Sequence, residues 1–241
     1  MLDPLAKIVQ DSTRADPYTG AMRESTETIR TSYDAVAAAY VEHLSGELAA
    51  KPLDRHLLNR FAEEIGDRGV VADLGCGPGH VARYLHEQGA QMLGIDLSPE
   101  MIRWATDLNP GIDFRVGDFR SLDLADGSLA GVVAFYSVIH LDAEGRATAF
   151  KEFRRILDSR GALLLAFHIG AETIHRDELW GQAVSLDFRF LEPAEVTAAL
   201  RKAGFTVAER TEREPYEGTE YPSRRCYVLA RTAPEGQPAG D

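Results

Sequence analysis

A chain of 241 residues with 44% hydrophobic and 27% charged side chains has the composition of an ordinary globular protein, long enough to bury a substantial core. Its 38 acidic against 26 basic residues give a formal charge of −12, which repels phosphate backbones and argues against an extended nucleic-acid footprint. The two cysteines make neither a disulfide framework nor a zinc pattern, no run approaches the roughly 18 apolar residues of a membrane span, and Met1-Leu2-Asp3-Pro4 lacks the segments of a secretory signal, so a cytoplasmic protein is expected.

Residues 1–25, broken by Pro4, Pro17 and Gly20, read as a flexible arm. Tyr33 and Tyr40 follow, seven apart at helical spacing. Val70-Val71-Ala72-Asp73-Leu74 is a first buried strand. Val81 to Gln88 is then a helix with Gly89 as its stop. Met92 to Ile95 forms a second strand, and Ser98-Pro99-Glu100 opens a helix with a capping side chain and a first-turn proline. Ile112–Val116 and Leu129–Phe135 are strands three and four. Phe150, Phe153 and Ile156-Leu157 mark the next helix, and Ala162–Phe167 is a fifth, fully apolar strand. A helix over Pro193–Ala203 precedes two strand-like runs, Phe205-Thr206-Val207 and Cys226-Tyr227-Val228-Leu229, joined so that an antiparallel edge is plausible. The tail over 232–241 has the composition of disorder. Alternation of strands and helices predicts an α/β fold around a mostly parallel sheet.

The chemistry gathers at the strand ends. A strand running into Gly75-x-Gly77-x-Gly79 makes a tight turn with bare backbone, and the helix after it presents amide donors. Asp73 is a carboxylate placed to receive a cation. Asp96 closes the second strand, where an acidic residue accepts from ribose hydroxyls. Asp118-Phe119 pair an acceptor with an aromatic face suited to a purine. A dinucleotide fingerprint needs glycine or alanine where His80 stands, and Asp73 would repel a pyrophosphate. A nicotinamide oxidoreductase is therefore disfavoured.

These motifs resemble those of class I S-adenosylmethionine-dependent methyltransferases. Val71–Gly79 is similar to that family's first motif, Gly94-Ile95-Asp96-Leu97-Ser98-Pro99-Glu100-Met101 to its second, and Gly117-Asp118-Phe119 and Phe135–His140 to later segments. The resemblance implies a Rossmann-like seven-stranded sheet with an antiparallel last strand and helices on both faces, forming one domain over 26–231 with an N-terminal helical cap. It implies S-adenosylmethionine as cofactor and methylation of an O, N or C atom of a small metabolite, as in natural-product biosynthesis. Carried over, Gly75, Gly77 and Gly79 approach the methionine portion, with Cys76 in the turn as a small filler. Asp96, with Leu97 and Met101 in its motif, holds the ribose, Asp118 and Phe119 contact adenine, and Tyr136 lines the transfer end. Tyr33 and Tyr40 close over the cofactor.

Among seven histidines, His140 and His168 lie at C-terminal strand edges and are the candidate general bases. His80 is expected near the cofactor carboxylate without reacting, and His43, His56 and His86 on the surface. Residues 169–190, with Trp180, Leu186, Phe188 and Phe190, form a candidate substrate lid, read as a loop or a helix-containing connection. His168, Glu172 and His175 match no metal pattern, so no metal is expected. Arg224-Arg225 reads as a solvated edge. A small-molecule partner, no membrane, and a monomer or homodimer are expected. A cofactor-binding homologue that transfers no methyl group is the alternative.

Overall fold

The computed structural model describes residues 26–234. The expected arm over 1–25 and positions 235–241 of the expected tail lie outside them. Residues 232–234 do not begin the tail as a break, since Thr232 ends the last strand.

The chain opens with helix α1 (Thr26–Leu44), a 3₁₀ turn at Glu47–Ala50 and helix α2 (Pro52–Ile65). Strands β1 (Val71–Leu74), β2 (Met92–Asp96), β3 (Asp113–Val116) and β4 (Leu129–Phe135) alternate with helices α3 (His80–Glu87) and α4 (Pro99–Leu108). Helix α5 (Ala143–Ile156) leads into β5 (Leu157–His168). A hairpin of β6 (Thr173–Leu179) and β7 (Gln182–Arg189) precedes helix α6 (Pro193–Lys202) and strands β8 (Phe205–Arg213) and β9 (Arg225–Thr232).

Seven strands form one sheet in the order β3-β2-β1-β4-β5-β9-β8, with β9 antiparallel between β5 and β8. This is the seven-stranded, Rossmann-like arrangement. Val71 pairs with Met92 and Gly131, so β1 lies central and is buried at all four positions. A strand covered on both faces is apolar over its buried length, as in β4 and in residues 161–167 of β5, and β1 departs from this only at Asp73. One face packs Leu58, Phe61 and Ile65 of α2 and Val81 and Leu85 of α3 against the sheet. The other packs Phe150, Phe153 and Ile156 of α5 and Val196 and Leu200 of α6.

Local chemistry fixes the helix starts. Ser98 Oγ accepts from Met101 N with Pro99 at the first position of α4, and Asp142 Oδ1 accepts from Gly145 N at the start of α5. Gly94 has no alternative: a Cβ there would lie 2.2 Å from Phe114 Cδ1.

The stretch 169–190 holds no helix. It is a two-stranded antiparallel hairpin that pairs with itself and not with the main sheet. Ile174, Leu186 and Phe188 alternate with charged residues along it, which is a strand period (two) rather than a helical one. Its turn holds Trp180 at φ 50° and Gly181 at φ 77°, the left-handed pair that closes a two-residue hairpin. Helix α1 lies against this hairpin. Ser185 N donates to Ser32 Oγ at 2.9 Å, and Trp180 stacks on His43 with ring centroids 5.4 Å apart. His43 is thus exposed, as expected, but not without a role. At its other side α1 is tied to α4: Ser98 Oγ donates to Asp34 Oδ1 at 2.6 Å.

Candidate active site

Two adjoining cavities sit at the C-terminal ends of β1, β2, β4 and β5, where open α/β sheets bind ligands. The first occupies about 710 Å3 and the second about 730 Å3, both open to solvent. Tyr33, Tyr40, Gly75, Phe135 and Tyr136 border both, so these residues mark the junction.

Gly77, Asp96, Leu97, Met101, Asp118, Phe119 and His140 line the first cavity. The glycine turn is held open by its neighbours. Gly75 N and Cys76 N both donate to Ile95 O, and a Cβ on Gly75 (φ 75°) would fall 2.3 Å from the Cβ of Ser137. Asp96 joins the two turns: Oδ2 accepts from Gly77 N at 2.8 Å and Oδ1 from Ser98 N at 2.9 Å. Burial raises Asp96 above the ordinary carboxylate range, against these amide bonds. Asp118 meets a partner that the sequence reading overlooked. Arg120 grips both its oxygens, Nη2 to Oδ2 at 2.7 Å, and also reaches Thr26 Oγ1 of α1. Burial pushes Asp118 up, but the guanidinium outweighs it and holds the carboxyl below its ordinary range.

Asp73, Cys76, His80 and His168 line the second cavity. Asp73 is buried on the α2/α3 face of the sheet, and its Oδ2 accepts from Ala82 N at 3.1 Å. Burial pushes its carboxyl up to about 7, with the Asp96 charge adding to the rise and His80 and the Ala82 amide opposing it. Cys76 is buried and its thiol is raised well above its ordinary value by burial, as suits a small filler rather than a redox group. Trp180, Leu179 and Phe188 of the hairpin roof this chamber.

Gly79 lines neither cavity. It starts α3 at φ 81°, and a Cβ there would lie 2.7 Å from Phe114 and 2.9 Å from Asn109 Nδ2. Its requirement is packing, not ligand approach. His80 opens α3 and turns to Glu47, Nε2 to Oε1 at 3.2 Å.

Of the candidate bases, His140 has both ring nitrogens bonded within the protein and His168 its Nδ1. His140 Nδ1 faces the carbonyl oxygen of Asp187 at 2.8 Å and Nε2 faces Tyr33 Oη at 2.6 Å. A carbonyl only accepts, so Nδ1 carries the proton and Nε2 accepts from the Tyr33 hydroxyl. Burial lowers His140 to about 4 and keeps it neutral, with the Asp187 carbonyl partly opposing this. His168 Nδ1 pairs with Ser223 Oγ at 2.7 Å, while its ring stacks on Phe190 with centroids 5.3 Å apart. Burial, with Arg225 and Lys51 nearby, holds it well below its ordinary value.

Tyr136 has φ 53°, rare for a bulky side chain, and stands where β4 ends between the cavities. Beneath it lies a buried ionic network absent from the sequence reading. Lys51 reaches Glu47 at 2.6 Å and Glu220 at 3.7 Å and sits 5.6 Å from the Tyr136 ring centroid. Arg213 bridges Glu220 and Asp54, the latter at 3.0 Å. Arg225 is not on a solvated edge: it is 1% exposed, with Nε 3.2 Å from Glu220. Only the exposed Arg224 fits that expectation.

The residues present fit the expected cofactor. A buried carboxylate with no ion pair among the described residues, a glycine turn that a Cβ on Gly75 would block, and an acidic residue at the end of β2 suit an ammonium, a polar tail and a ribose.

Residues 71–161 match the model of a family described as a methyltransferase domain. They are similar to a methyltransferase domain over less than half of the chain. The chain is 30% identical over 111 residues to an uncharacterized methyltransferase of Alkaliphilus oremlandii, covering 45% of this chain and 51% of the relative. A malonyl-[acyl-carrier protein] O-methyltransferase of Pseudescherichia vulneris is 33% identical over 94 residues, 38% of either chain. The chain thus spans about half or less of the length of these relatives. Magnesium protoporphyrin IX methyltransferase from Synechocystis PCC 6803, solved with its cofactor bound, shares the methyltransferase fold with a TM-score of 0.65 at 17% identity, over 89% of this chain and all of that one. Among the described residues no group of His, Cys, Asp and Glu is arranged to hold a metal, and no helix is long and apolar enough to cross a membrane.

Proposed function

We propose that this methyltransferase domain transfers the methyl group of S-adenosylmethionine to an O, N or C atom of a small metabolite. The reading rests above all on the two cavities meeting at Gly75, Tyr33 and Tyr136. Asp96, Leu97, Met101 and Phe119 would hold the nucleoside in the first, and Asp73 the ammonium beyond the glycine turn. The second, walled by Tyr40, Phe135, His168, Trp180 and Phe188, would take the acceptor. When bound, the cofactor supplies the electrophilic methyl and its own leaving group.

The protein's part is alignment and exclusion of water. The cap consists of helix α1 and the β6–β7 hairpin, and the domain spans 26–231. Tyr33, donating to the neutral His140, is fixed with its oxygen at the cavity junction. We assign His140 as a positioning residue acting through Tyr33 rather than as the base itself. His168 orients the acceptor wall through Phe190 and Ser223.

Calorimetry with S-adenosylhomocysteine, followed by release of that product from S-adenosylmethionine over a panel of phenols, amines and carboxylic acids, tests the proposal. Saturable binding with turnover on one class is expected. Binding with no turnover on any class supports the non-transferring alternative, and absence of binding refutes the proposal.

A further inference from the structure

The cap hairpin buries a cation that no carboxylate pairs with among the described residues. Arg176 of β6 is 8% exposed, and its Nε and Nη2 are buried with no hydrogen-bond partner. Among the described residues the other strongly buried lysine and arginine each have a carboxylate: Lys51 has Glu47, and Arg225 has Glu220. In a chain of charge −12, with acidic groups in surplus, an uncompensated guanidinium is not a shortage of partners.

Strand register says which way Arg176 points. It lies directly opposite Leu186, as Ile174 lies opposite Phe188. Directly opposed residues of an antiparallel pair share a face, so Arg176 shares that of Leu186 and Phe188. Leu186 is fully buried against Val36 and Leu179, and Phe188 lines the second cavity. The guanidinium is therefore on the inner face of the roof, behind the residues that line the acceptor chamber rather than among them. The Tyr221 phenol and the Asp177 carboxylate act on it electrostatically. Tyr221 packs on Phe190 and His168, the latter a wall of the chamber. A second donor of the same hairpin, the buried Trp180 Nε1, also lacks an acceptor, and Trp180 lines the chamber.

A desolvated guanidinium is costly unless it meets an anion, and its planar fork matches a carboxylate in two-pronged fashion. Around it the chamber walls are aromatic. We propose that the acceptor of this enzyme carries a carboxylate on an aromatic or similarly flat apolar body, and that Arg176 is its anchor. The proposal rests on the methyl-transfer reading and narrows it to a substrate class. It concerns the group that binds, whichever atom accepts the methyl.

The test uses the full chain saturated with S-adenosylhomocysteine and pairs of acids with their amides: benzoate and benzamide, cinnamate and cinnamamide, indole-3-acetate and its amide. Affinities come from calorimetry or ligand-observed NMR. At least one acid is expected to bind tenfold or more tightly than its amide. Arg176→Met should erase that preference and Arg176→Lys retain part of it, with affinity for S-adenosylhomocysteine unchanged in both. The proposal is overturned if no acid outbinds its amide, or if Arg176→Met keeps the preference. Loss of S-adenosylhomocysteine binding by the unsubstituted protein would instead strike the methyl-transfer reading, so the two failures are distinguishable.

Discussion

Cofactor binding should expel a proton from Asp73. The carboxyl is 2% exposed, bonds a single backbone amide, and without a cation beside it titrates at about 7. An ammonium group seated there needs the carboxylate, so only the ionised fraction binds. That fraction is about one half at pH 7, one tenth at pH 6 and nine tenths at pH 8. Affinity for S-adenosylhomocysteine should thus fall about fivefold from pH 7 to 6 and rise less than twofold from 7 to 8. Titration at pH 7 in buffers of different ionisation enthalpy should report about half a proton released per site. Asp73→Asn removes a charge-assisted contact of about 1.5–3 kcal/mol, so it should weaken binding roughly 10- to 100-fold and flatten the pH dependence. The same substitution should stabilise the protein without cofactor at pH 8. A group whose folded pKa is raised contributes stability below its unfolded value of 3.8, and that contribution is lost as pH rises through 7. An affinity independent of pH between 6 and 8, with no proton release, would refute the assignment of Asp73 to the ammonium.

Lys51→Met leaves Glu47 and Glu220 short of a cation in a buried network, and should cost about 3 kcal/mol, or roughly 6–12 °C in melting temperature; a loss below 1 kcal/mol by urea unfolding contradicts the network's role. Because Lys51 and His80 outweigh burial and hold Glu47 far below the usual carboxylate range, this cost should shrink as pH falls below about 4.5. His140 titrates at about 4 when folded against 6.5 in its ordinary state, so the unfolded chain takes up its proton first. Stability should fall by about 1.4 kcal/mol per pH unit from this residue between pH 6.5 and 4, and His140→Asn should remove that increment in denaturant titrations at pH 7 and 5. Tyr33→Phe should lower kcat more than it raises KM while leaving S-adenosylhomocysteine affinity within a few fold, measured by product release. Gly94→Ala drives a methyl into the Phe114 ring and should cost about 1–3 kcal/mol by thermal unfolding.

The sheet was legible because its strands are short apolar runs between helices with recognisable caps, such as Ser98-Pro99. The cofactor turn was legible because glycines and acids at consecutive strand ends lie close in sequence. Most of what escaped was set by contacts distant along the chain. Asp118 and Arg120 are neighbours, yet nothing in their spacing says that the arginine folds back on the acid. Glu47, Lys51, Asp54, Arg213, Glu220 and Arg225 become one network only when β9 slides between β5 and β8. His140 and His168 stand at the expected strand ends, but both ring nitrogens of His140 and the Nδ1 of His168 are bonded to Tyr33, Asp187 and Ser223, which only the fold brings near. The hairpin was hidden by its bulge between Arg176 and Glu178, which breaks the two-residue alternation that would have announced β6.

The bond between Ser32 and Ser185 spans 153 positions of sequence, and Tyr33 meets His140 across 107. Contacts so remote along the chain close long loops against a cost in loop entropy. The chamber's ceiling rests on a few such contacts and on no pairing with the central sheet, so it should open before that sheet does. Its amides around Ser185 should exchange with solvent through openings far smaller than global unfolding, whereas those of β1 and β4 exchange only with the whole. A ligand that touches floor and ceiling together then acts as a latch, and the temperature at which the ceiling opens becomes a property of the ligand as much as of the protein.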